Sequence, residues 1–459
     1  MRLWTRNSGE ISGIFRRLSG GVNAADRRRI FRGTFQSFLI QAISVALVFA
    51  SNLWLVRSSD PDAYGLYVHV FNWVSILAVF VVAGRDDLVL ALIPKYVREG
   101  KNRLVARLIR ACNRWLVLAT LVVTGVFLAI IGLFPVRALS ENIRLFLLSI
   151  PAVYLTACLG INQMILQSLD HIRQSQIVER IAKPLLLIFF VGVFHLAATS
   201  FNGKNLILLS TIVLGISGAA VLVLTGQKMR RLAATPEPTP RLTIDTRQVF
   251  YFFSVSLLNL LSTRLTMLLL PYFTVAAKDV GIFNICSRFA DLLIFPFFLM
   301  HSVLPQLFAR HTPEEKTYTQ GLFDTSNRLM LLLCVPLLLG IVLLGKFMLS
   351  WFGQPYTGGY ATLVYLSLAQ LLFSLFGPSN TILMTQGLEK YSAICLLAYV
   401  LILAISSCIL LPLAGMTGGA LAVLVSSLCY NILLAVVCYR TTGVYSPFFR
   451  LRRRQVRRP

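Results

Sequence analysis

The sequence predicts an all-α, polytopic membrane protein with twelve transmembrane helices in two six-helix lobes. Of its 459 residues, 56% are hydrophobic and only 13% are charged, whereas soluble domains are typically about 25% charged. The mean hydropathy is +0.74, and apolar stretches of the roughly 20 residues needed to cross a bilayer recur along the whole chain. In addition, the two halves of the chain resemble each other.

The apolar stretches define the predicted spans in order. They are 34–56, 65–84, 115–135, 145–167, 177–197, 205–225, 249–273, 280–304, 328–350, 360–383, 391–413 and 416–439. A long connection rich in Pro, Thr and charged residues follows the sixth span and divides the chain. The resulting segments are a basic N-terminal arm (1–33), a first lobe (34–225), a linker (226–248), a second lobe (249–440) and a basic tail (441–459).

A weak internal repeat supports two lobes. Span two opens with YGLYVHVFNW and span eight with VGIFNICSRF, which places Gly65 and Gly281 216 residues apart. QSLDHIRQSQI after span four and QGLEKYSAI after span ten place Gln167 and Gln386 219 residues apart, nearly the same offset. Six spans per repeat give both halves the same orientation, with ligand sites expected between them.

The distribution of Lys and Arg predicts the orientation. With the N-terminus in the cytoplasm, the arm, the connection between spans two and three, the linker and the tail lie on one side and carry most of these residues. The bias places both termini in the cytoplasm and explains most of the net charge of +25. Anionic membrane lipids would be attracted to this side, whereas nucleic-acid binding is disfavoured by the high hydropathy.

Metal, disulfide and catalytic-domain chemistry are not indicated. The eight cysteines show no C-x-x-C spacing, and the five histidines form no metal-like grouping. The connections on the predicted outer side are too short to hold a folded catalytic domain. We therefore expect no metal site, no organic cofactor and no enzymatic activity.

Arg264 is the most unusual residue of the spans. It lies near mid-membrane within SLLNLLSTRLTMLLLPYF, where an Arg costs roughly 2.5–3.5 kcal/mol or more. Asn259 and Thr263 belong to a polar stripe beside it at helical spacing. We expect this side of the helix to face protein or a water-filled cavity.

Span eight carries a second polar face, because Asn284, Arg288 and Asp291 follow at i, i+4 and i+7. At this spacing Arg288 and Asp291 are close enough to pair. Gln41 belongs to a polar stripe on span one and Gln370 to one on span ten.

These features also have structural interpretations. Stripes of Ser, Thr and Gln often hold helices together, and Arg288 and Asp291 could form a purely structural ion pair. Glu179, Arg180 and Lys183, at the inner mouth of span five, are interpreted as a solvated interfacial cluster rather than as a site.

A cationic internal cavity would suit an anionic solute. The guanidinium group stays charged and donates paired hydrogen bonds, which matches phosphate. A lipid-linked diphosphate is such a solute, since its head group must cross the apolar slab and the cavity would replace its lost hydration.

The chain resembles the polysaccharide transporter branch of the MOP superfamily, the Wzx-type O-antigen flippases. The matching segments are SSDPDAYGLY, AGRDDLVLALIPKY, VGIFNICSRFADLL, VLPQLFAR, WFGQPYTGG and TQGLEKYSA, in order over residues 30–440. The resemblance implies two lobes forming a V, a central basic cavity and alternating access. It also implies transfer of undecaprenyl-diphosphate-linked oligosaccharides across the cell inner membrane.

The resemblance also implies roles for individual residues. Cavity arginines that hold the diphosphate would be Arg264 and Arg288, and Asp291 would bind the coupling ion, a proton or Na⁺. The other polar residues expected to line the substrate cavity are Asn259, Thr263, Gln41 and Asn284. The implied partners are the lipid-linked glycan, membrane lipids and a polysaccharide polymerase or export machinery, with no nucleic acid.

Two other cargoes and one other class of protein remain open. Relatives that flip the peptidoglycan precursor share the fold, but span one lacks the intramembrane Arg of that branch. A MATE-like exporter of cationic drugs should have an acidic cavity, which Arg264 and Arg288 disfavour. A membrane glycan polymerase, ligase or glycosyltransferase usually needs a large loop or soluble domain.

Overall fold

The computed structural model describes residues 24–133, 141–169, 171–196, 201–233, 245–273, 276–297 and 316–445. Within these ranges the chain is helical almost throughout and contains no strand, which confirms the all-α prediction. The motif VLPQLFAR, most of the N-terminal arm, part of the linker and most of the tail lie outside the described residues.

The first half of the chain folds into helices separated by short breaks. They are α1 (Ala24–Arg57), α2 (Pro61–Val82), α3 (Arg85–Arg98), α4 (Asn102–Leu133), α5 (Glu141–Leu148), α6 (Ile150–Ser168), α7 (Ile172–Ile177), α8 (Lys183–Leu196) and α9 (Gly203–Ala233). A π-helical turn, Val178–Ala182, joins α7 to α8.

The second half is built in the same way. Its helices are α10 (Thr246–Phe273), α11 (Lys278–Ala290), α12 (Lys316–Ser350), α13 (Tyr360–Thr385) and α14 (Glu389–Thr442). A 3₁₀ turn, Asp291–Ile294, continues α11, and a second one, Gln354–Gly359, leads into α13.

Nine helices in the described part of the chain are long and apolar enough to cross a membrane. One of them, α14, loses helical geometry at Ala414 and Gly415, where spans eleven and twelve were predicted to meet. The other predicted crossings correspond to the second half of α14, to the shorter apolar helix Gln41–Arg57 and to segment 172–196. The structure is therefore compatible with twelve crossings.

The breaks at the two ends of α2 have clear local causes. Pro61 occupies the first turn, and the Asp60 carboxylate before it accepts a hydrogen bond from the Asp62 amide at 3.2 Å, as expected of an N-cap. At the other end, Ala83 and Gly84 adopt left-handed φ values of 47° and 72°. Such a pair ends the helix and lets α3 leave in a new direction.

The largest packed cluster joins the two halves. It contains Tyr64 and Val68 from α2 together with Phe289, Phe352 and Tyr356 from the second half. Large apolar side chains on α4, α12 and α14 are instead exposed, as expected for helix faces in contact with lipid. Following the predicted topology, the end of the molecule that carries the starts of α2 and α11 is termed the outer end.

Candidate functional site

The outer ends of α2 and α11 are in direct contact at two glycines. A Cβ atom on Gly65 would lie 1.9 Å from the Ala277 carbonyl oxygen, and one on Gly281 would lie 2.8 Å from the Tyr64 ring. The Lys278 amide donates to the Asp62 carboxylate at 2.9 Å. Gly65 and Gly281, like Asp62 and Lys278, are 216 residues apart. These residues occupy equivalent positions in the two repeats. If a pseudo-twofold axis relating the halves passes between α2 and α11, equivalent residues near the axis are expected to touch.

Aromatic and polar contacts extend this outer contact. Phe49 of α1 packs edge-on against Phe289 and Phe352, with ring centroids 4.7 and 5.3 Å apart. The Arg57 guanidinium donates from Nε to the Trp351 carbonyl oxygen at 2.7 Å. The halves are thus held together at the outer end by apolar packing and by hydrogen bonds between side chains and backbone groups.

Asn284 lies in this outer contact. Its side chain is 5% exposed and donates to the Tyr64 hydroxyl at 2.9 Å. Direct contact between Asn284 and a cargo would therefore require the two halves to separate here.

Farther from the outer end, the residues between the two halves are charged or polar rather than glycines. Arg264 of α10 is half-buried and donates to the Asn72 amide oxygen of α2 at 3.3 Å. It also lies within electrostatic range of Arg288 and Asp291. The Arg that stood out in the sequence therefore faces protein, with a partner from the first half of the chain.

Arg288 and Asp291 do not form the ion pair expected from their spacing. Both belong to the described part of the chain and lie within electrostatic range of each other, but no ion pair joins them. The α-helix ends at Ala290 and a 3₁₀ turn begins at Asp291, whose carboxylate accepts a hydrogen bond from Gln370 instead. The Arg288 Nε atom is buried and has no hydrogen-bond partner among the described residues.

Asp291 is solvent-exposed although it lies inside a predicted span. Its carboxylate accepts a hydrogen bond from the Gln370 amide of α13 at 3.0 Å, and Arg264 and Arg288 are its electrostatic neighbours. An exposed carboxylate surrounded by polar groups of three helices indicates a water-accessible space rather than a lipid-facing surface.

The other predicted cavity residues lie at different positions. Asn259 and Thr263 are exposed on α10, and the Thr263 hydroxyl bonds back to the Leu260 carbonyl oxygen at 3.0 Å. Gln41 is partly buried, and its amide oxygen has no hydrogen-bond partner in the described part of the chain.

Lys183 is a cation that the sequence did not assign to the site. It is partly buried and lies within electrostatic range of Arg288, in the other half of the chain, and of Glu179. The interfacial cluster inferred from the sequence thus keeps Glu179, which is exposed, beside Lys183, which also lies near Arg288.

Another contact between the halves lies at the inner end of α2. A Cβ atom on Gly84 would lie 2.4 Å from the Phe253 amide nitrogen of α10. Asp87 accepts a hydrogen bond from the Ser256 hydroxyl at 3.0 Å. Helix α2 and the start of α3 thus touch the second half at both ends, and the charged region lies between these contacts.

Comparison with known proteins gives the fold. No protein-family model and no curated protein matches the sequence. An inward-facing MATE-family multidrug resistance transporter of the MOP superfamily is similar, with a TM-score of 0.67 and 13% identity over 87% of this chain and 94% of that one. The lipid II flippase MurJ in an inward closed conformation has a TM-score of 0.64 and 13% identity over 87% and 86%.

A third similar structure is a MOP-superfamily transporter from Pyrococcus furiosus, described as having a binding pocket of reversed polarity. Its TM-score is 0.64, with 14% identity over 90% of this chain and 95% of that one. At these identities the likeness establishes the fold. The chain is a multi-pass membrane protein with the fold of MOP-superfamily transporters, as predicted.

Proposed function

We propose that this protein is a flippase that moves undecaprenyl-diphosphate-linked oligosaccharide repeat units across the cell inner membrane. The cargo would serve exopolysaccharide, O-antigen or capsule synthesis, and both termini would lie in the cytoplasm. The supporting observation is that Arg264 and Arg288 lie within electrostatic range of each other in the middle of the bundle. Two neighbouring cations in such a place favour an anion between or beside them.

The chemistry of the two arginines suits a diphosphate. The buried Arg288 Nε has no hydrogen-bond partner in the part of the chain that the structure describes, and leaving such a charged donor unsatisfied costs free energy. A phosphate oxygen would supply the missing acceptor and would also reduce the repulsion between the guanidinium groups. The donors of Arg264 not used by Asn72 would hold the second phosphate.

Asp291 would couple binding to a proton or Na⁺. As a carboxylate it attracts both arginines and competes with the phosphate for them. Protonation or Na⁺ binding at Asp291 would remove this competition and raise the affinity of the site for the anion. Transport would follow if the ion binds the two conformational states with different affinity. The closed outer contact around Gly65 and Gly281 would then have to open for release.

Flipping in proteoliposomes tests the proposal. Fluorescent undecaprenyl-diphosphate-linked glycan is incorporated into both leaflets, and the fraction protected from a membrane-impermeant quencher is followed with time. A hydrogen bond to a charged group contributes about 1.5–3 kcal/mol, so Arg264→Ala and Arg288→Ala should each slow flipping at least about tenfold. Arg247→Ala, an exposed residue at the start of α10, is the matched control.

Flipping at the wild-type rate by both variants would rule out the phosphate role. Labelled peptidoglycan precursor should be measured in the same liposomes, because a diphosphate site alone would not exclude it. Accumulation of a cationic dye, with no movement of either lipid, would instead favour a drug exporter.

A further inference from the structure

A groove between α2 and α4 opens on a face of the molecule that carries exposed apolar side chains. Its volume is about 230 Å³, below the roughly 300–1,000 Å³ of pockets for drug-sized ligands. All of the side chains that line it are apolar: Leu77, Phe80, Val122, Val123, Val126 and Phe127. Such a lining suits a hydrocarbon chain, because a polar group would lose its hydrogen bonds there.

Two contacts hold the walls of this groove in place. The Phe80 ring packs against the Phe253 ring of α10, with centroids 5.4 Å apart. At the inner end, the Trp115 indole of α4 donates from Nε1 to the Val81 carbonyl oxygen of α2 at 3.0 Å. These side chains are already ordered, which lowers the entropy cost of binding a ligand.

Positive charge surrounds the inner end of the groove. The Arg85 guanidinium stacks on the Trp115 ring, 3.5 Å from its centroid, in a cation–π contact. Arg110 and Arg114 are exposed on α4, and no ion pair joins any of the three arginines to a described residue. Of the acidic residues that follow Arg85, Asp87 accepts a hydrogen bond from the Ser256 hydroxyl of the other half. An anion is therefore favoured at this end.

The order of charged and apolar surface along α4 fits one membrane leaflet. Its exposed side chains change from Arg110 and Arg114 to Val117 and beyond at Trp115, and Trp is typical of the membrane–water interface. The helix rises about 18 Å from Trp115 to Phe127, close to half of the roughly 30 Å hydrocarbon core. By the predicted topology, this is the cytoplasmic leaflet.

We propose that the groove is a binding site for an anionic phospholipid of the cytoplasmic leaflet, with phosphatidylglycerol as the probe. One acyl chain lies along Phe80 and Val126, and the phosphate lies beside Arg85 and Arg114. The site is separate from the central arginines, and its existence does not depend on the proposed cargo.

Lipid titration of the purified full chain in detergent, read by native mass spectrometry, tests the charged end. Phosphatidylglycerol and phosphatidylcholine with the same acyl chains are compared. One Arg near a membrane surface contributes about 1 kcal/mol, so Arg85→Gln should weaken phosphatidylglycerol binding about fivefold and phosphatidylcholine binding much less. Arg247→Gln, exposed at the start of α10, is the matched control and should bind as the wild type does.

The same titration tests the groove. Val126→Trp should weaken the binding of both lipids several-fold, because the indole would occupy the space of the acyl chain. Val117→Trp is the matched control, since Val117 is also exposed on α4 but does not line the groove.

A measurement on the wild type does not depend on the folding of a variant. Both phospholipids are prepared with a photoreactive group in the acyl chain, and the labelled peptides are identified after irradiation in nanodiscs. Phosphatidylglycerol should label 122–127 several-fold more than phosphatidylcholine does. Both should label the exposed apolar face of α12 around Leu343 equally.

Three outcomes would overturn the proposal. The first is equal binding and equal labelling of 122–127 by the two phospholipids, as expected of lipids that only surround the protein. The second is wild-type affinity in both Arg85→Gln and Val126→Trp. The third is displacement of phosphatidylglycerol by an equimolar amount of farnesyl diphosphate, a short prenyl diphosphate, which would assign the groove to the cargo instead.

Discussion

Helices α2 and α11 contact the opposite half of the molecule in two different ways along their length. At the outer end, Gly65 and Gly281 allow the backbones to touch. Seven residues farther along each helix, about 10 Å away at 1.5 Å per residue, are Asn72 and Arg288. These two positions carry polar side chains and belong to the charged region.

The difference separates a tightly packed outer end from a charged region on the same pair of helices. Close backbone packing at the outer end excludes water and any larger side chain. The charged region cannot pack in this way, because burying like charges without water or a counter-ion is costly. A closed outer end therefore coexists with a charged region about two turns farther along the same helices.

Enlarging Gly65 should have the largest effect, because it breaks the outer contact itself. A Cβ atom at this position would clash with the Ala277 backbone, which cannot rotate away as a side chain can. Gly65→Val should therefore separate the outer ends and cost more than about 3 kcal/mol, at or beyond the upper end for overpacked sites. The substitutions Asp62→Cys and Lys278→Cys are added to the wild type and to Gly65→Val. The yield of the disulfide between them measures how far apart the outer ends of α2 and α11 are.

Gly125→Val is the control for the loss of a helical glycine, because a Cβ there meets no atom of the described residues within 4 Å. Efficient cross-linking in the Gly65→Val background would show that the outer contact tolerates a side chain. It would then not be the tight seal described above.

Much of the fold could be predicted from the sequence because hydropathy reports burial in lipid. The span predicted at 249–273 is helix Thr246–Phe273, and the predicted break in α14 occurs at Ala414 and Gly415. Helix α9 extends well beyond its predicted span, 205–225, to Ala233. Hydropathy detects only the apolar part of a helix and not its polar extension.

The charged region could be predicted only in part. Arg264 stood out because a charge in an apolar run needs an explanation. The proximity of Lys183 to Arg288 joins residues 105 positions apart and depends on how the halves pack. The spacing of Arg288 and Asp291 placed the two charges near each other, but spacing alone could not show that no ion pair joins them among the described residues. The only local signal for Lys183 was Pro184, which marks a disturbed turn.

Asp291→Asn should have an intermediate effect and tests the charged region. The variant can still accept the Gln370 hydrogen bond but no longer attracts Arg264 and Arg288. Because Asp291 is exposed, the loss of stability should be only about 1 kcal/mol. Farnesyl diphosphate should bind about tenfold more tightly, because the carboxylate no longer competes for the two arginines with an attraction of about 1.4 kcal/mol. Flipping of the lipid-linked glycan should become slower.

Glu99→Gln is the matched control for this charge change, since Glu99 pairs with Lys101 at 2.7 Å on the surface. Thermal unfolding in detergent and ligand titration measure the two effects. Weaker anion binding by Asp291→Asn would contradict a competing carboxylate and would suggest that Asp291 orients the arginines for the ligand.

The smallest expected effect extends the comparison to the inner end of α2, where Asp86 and Asp87 sit side by side. Burial, followed by the nearby Asp87 charge, raises the pKa of Asp86, whose Oδ1 has no hydrogen-bond partner among the described residues. The folded protein thus holds the proton more tightly than the unfolded chain. The stability that the protonated Asp86 contributes is fully present below the unfolded pKa of about 4. It is lost as the pH rises through the higher folded pKa.

Asp86→Asn should therefore stabilise the protein at neutral pH, by less than about 1 kcal/mol for a partly exposed group, and the gain should disappear in acid. Asp87→Ala should destabilise the protein at neutral pH, because it removes the hydrogen bond from Ser256 that joins the halves. Thermal unfolding from pH 4 to pH 8 compares the two variants. Equal destabilisation by both would mean that Asp86, like Asp87, helps to hold the inner contact closed.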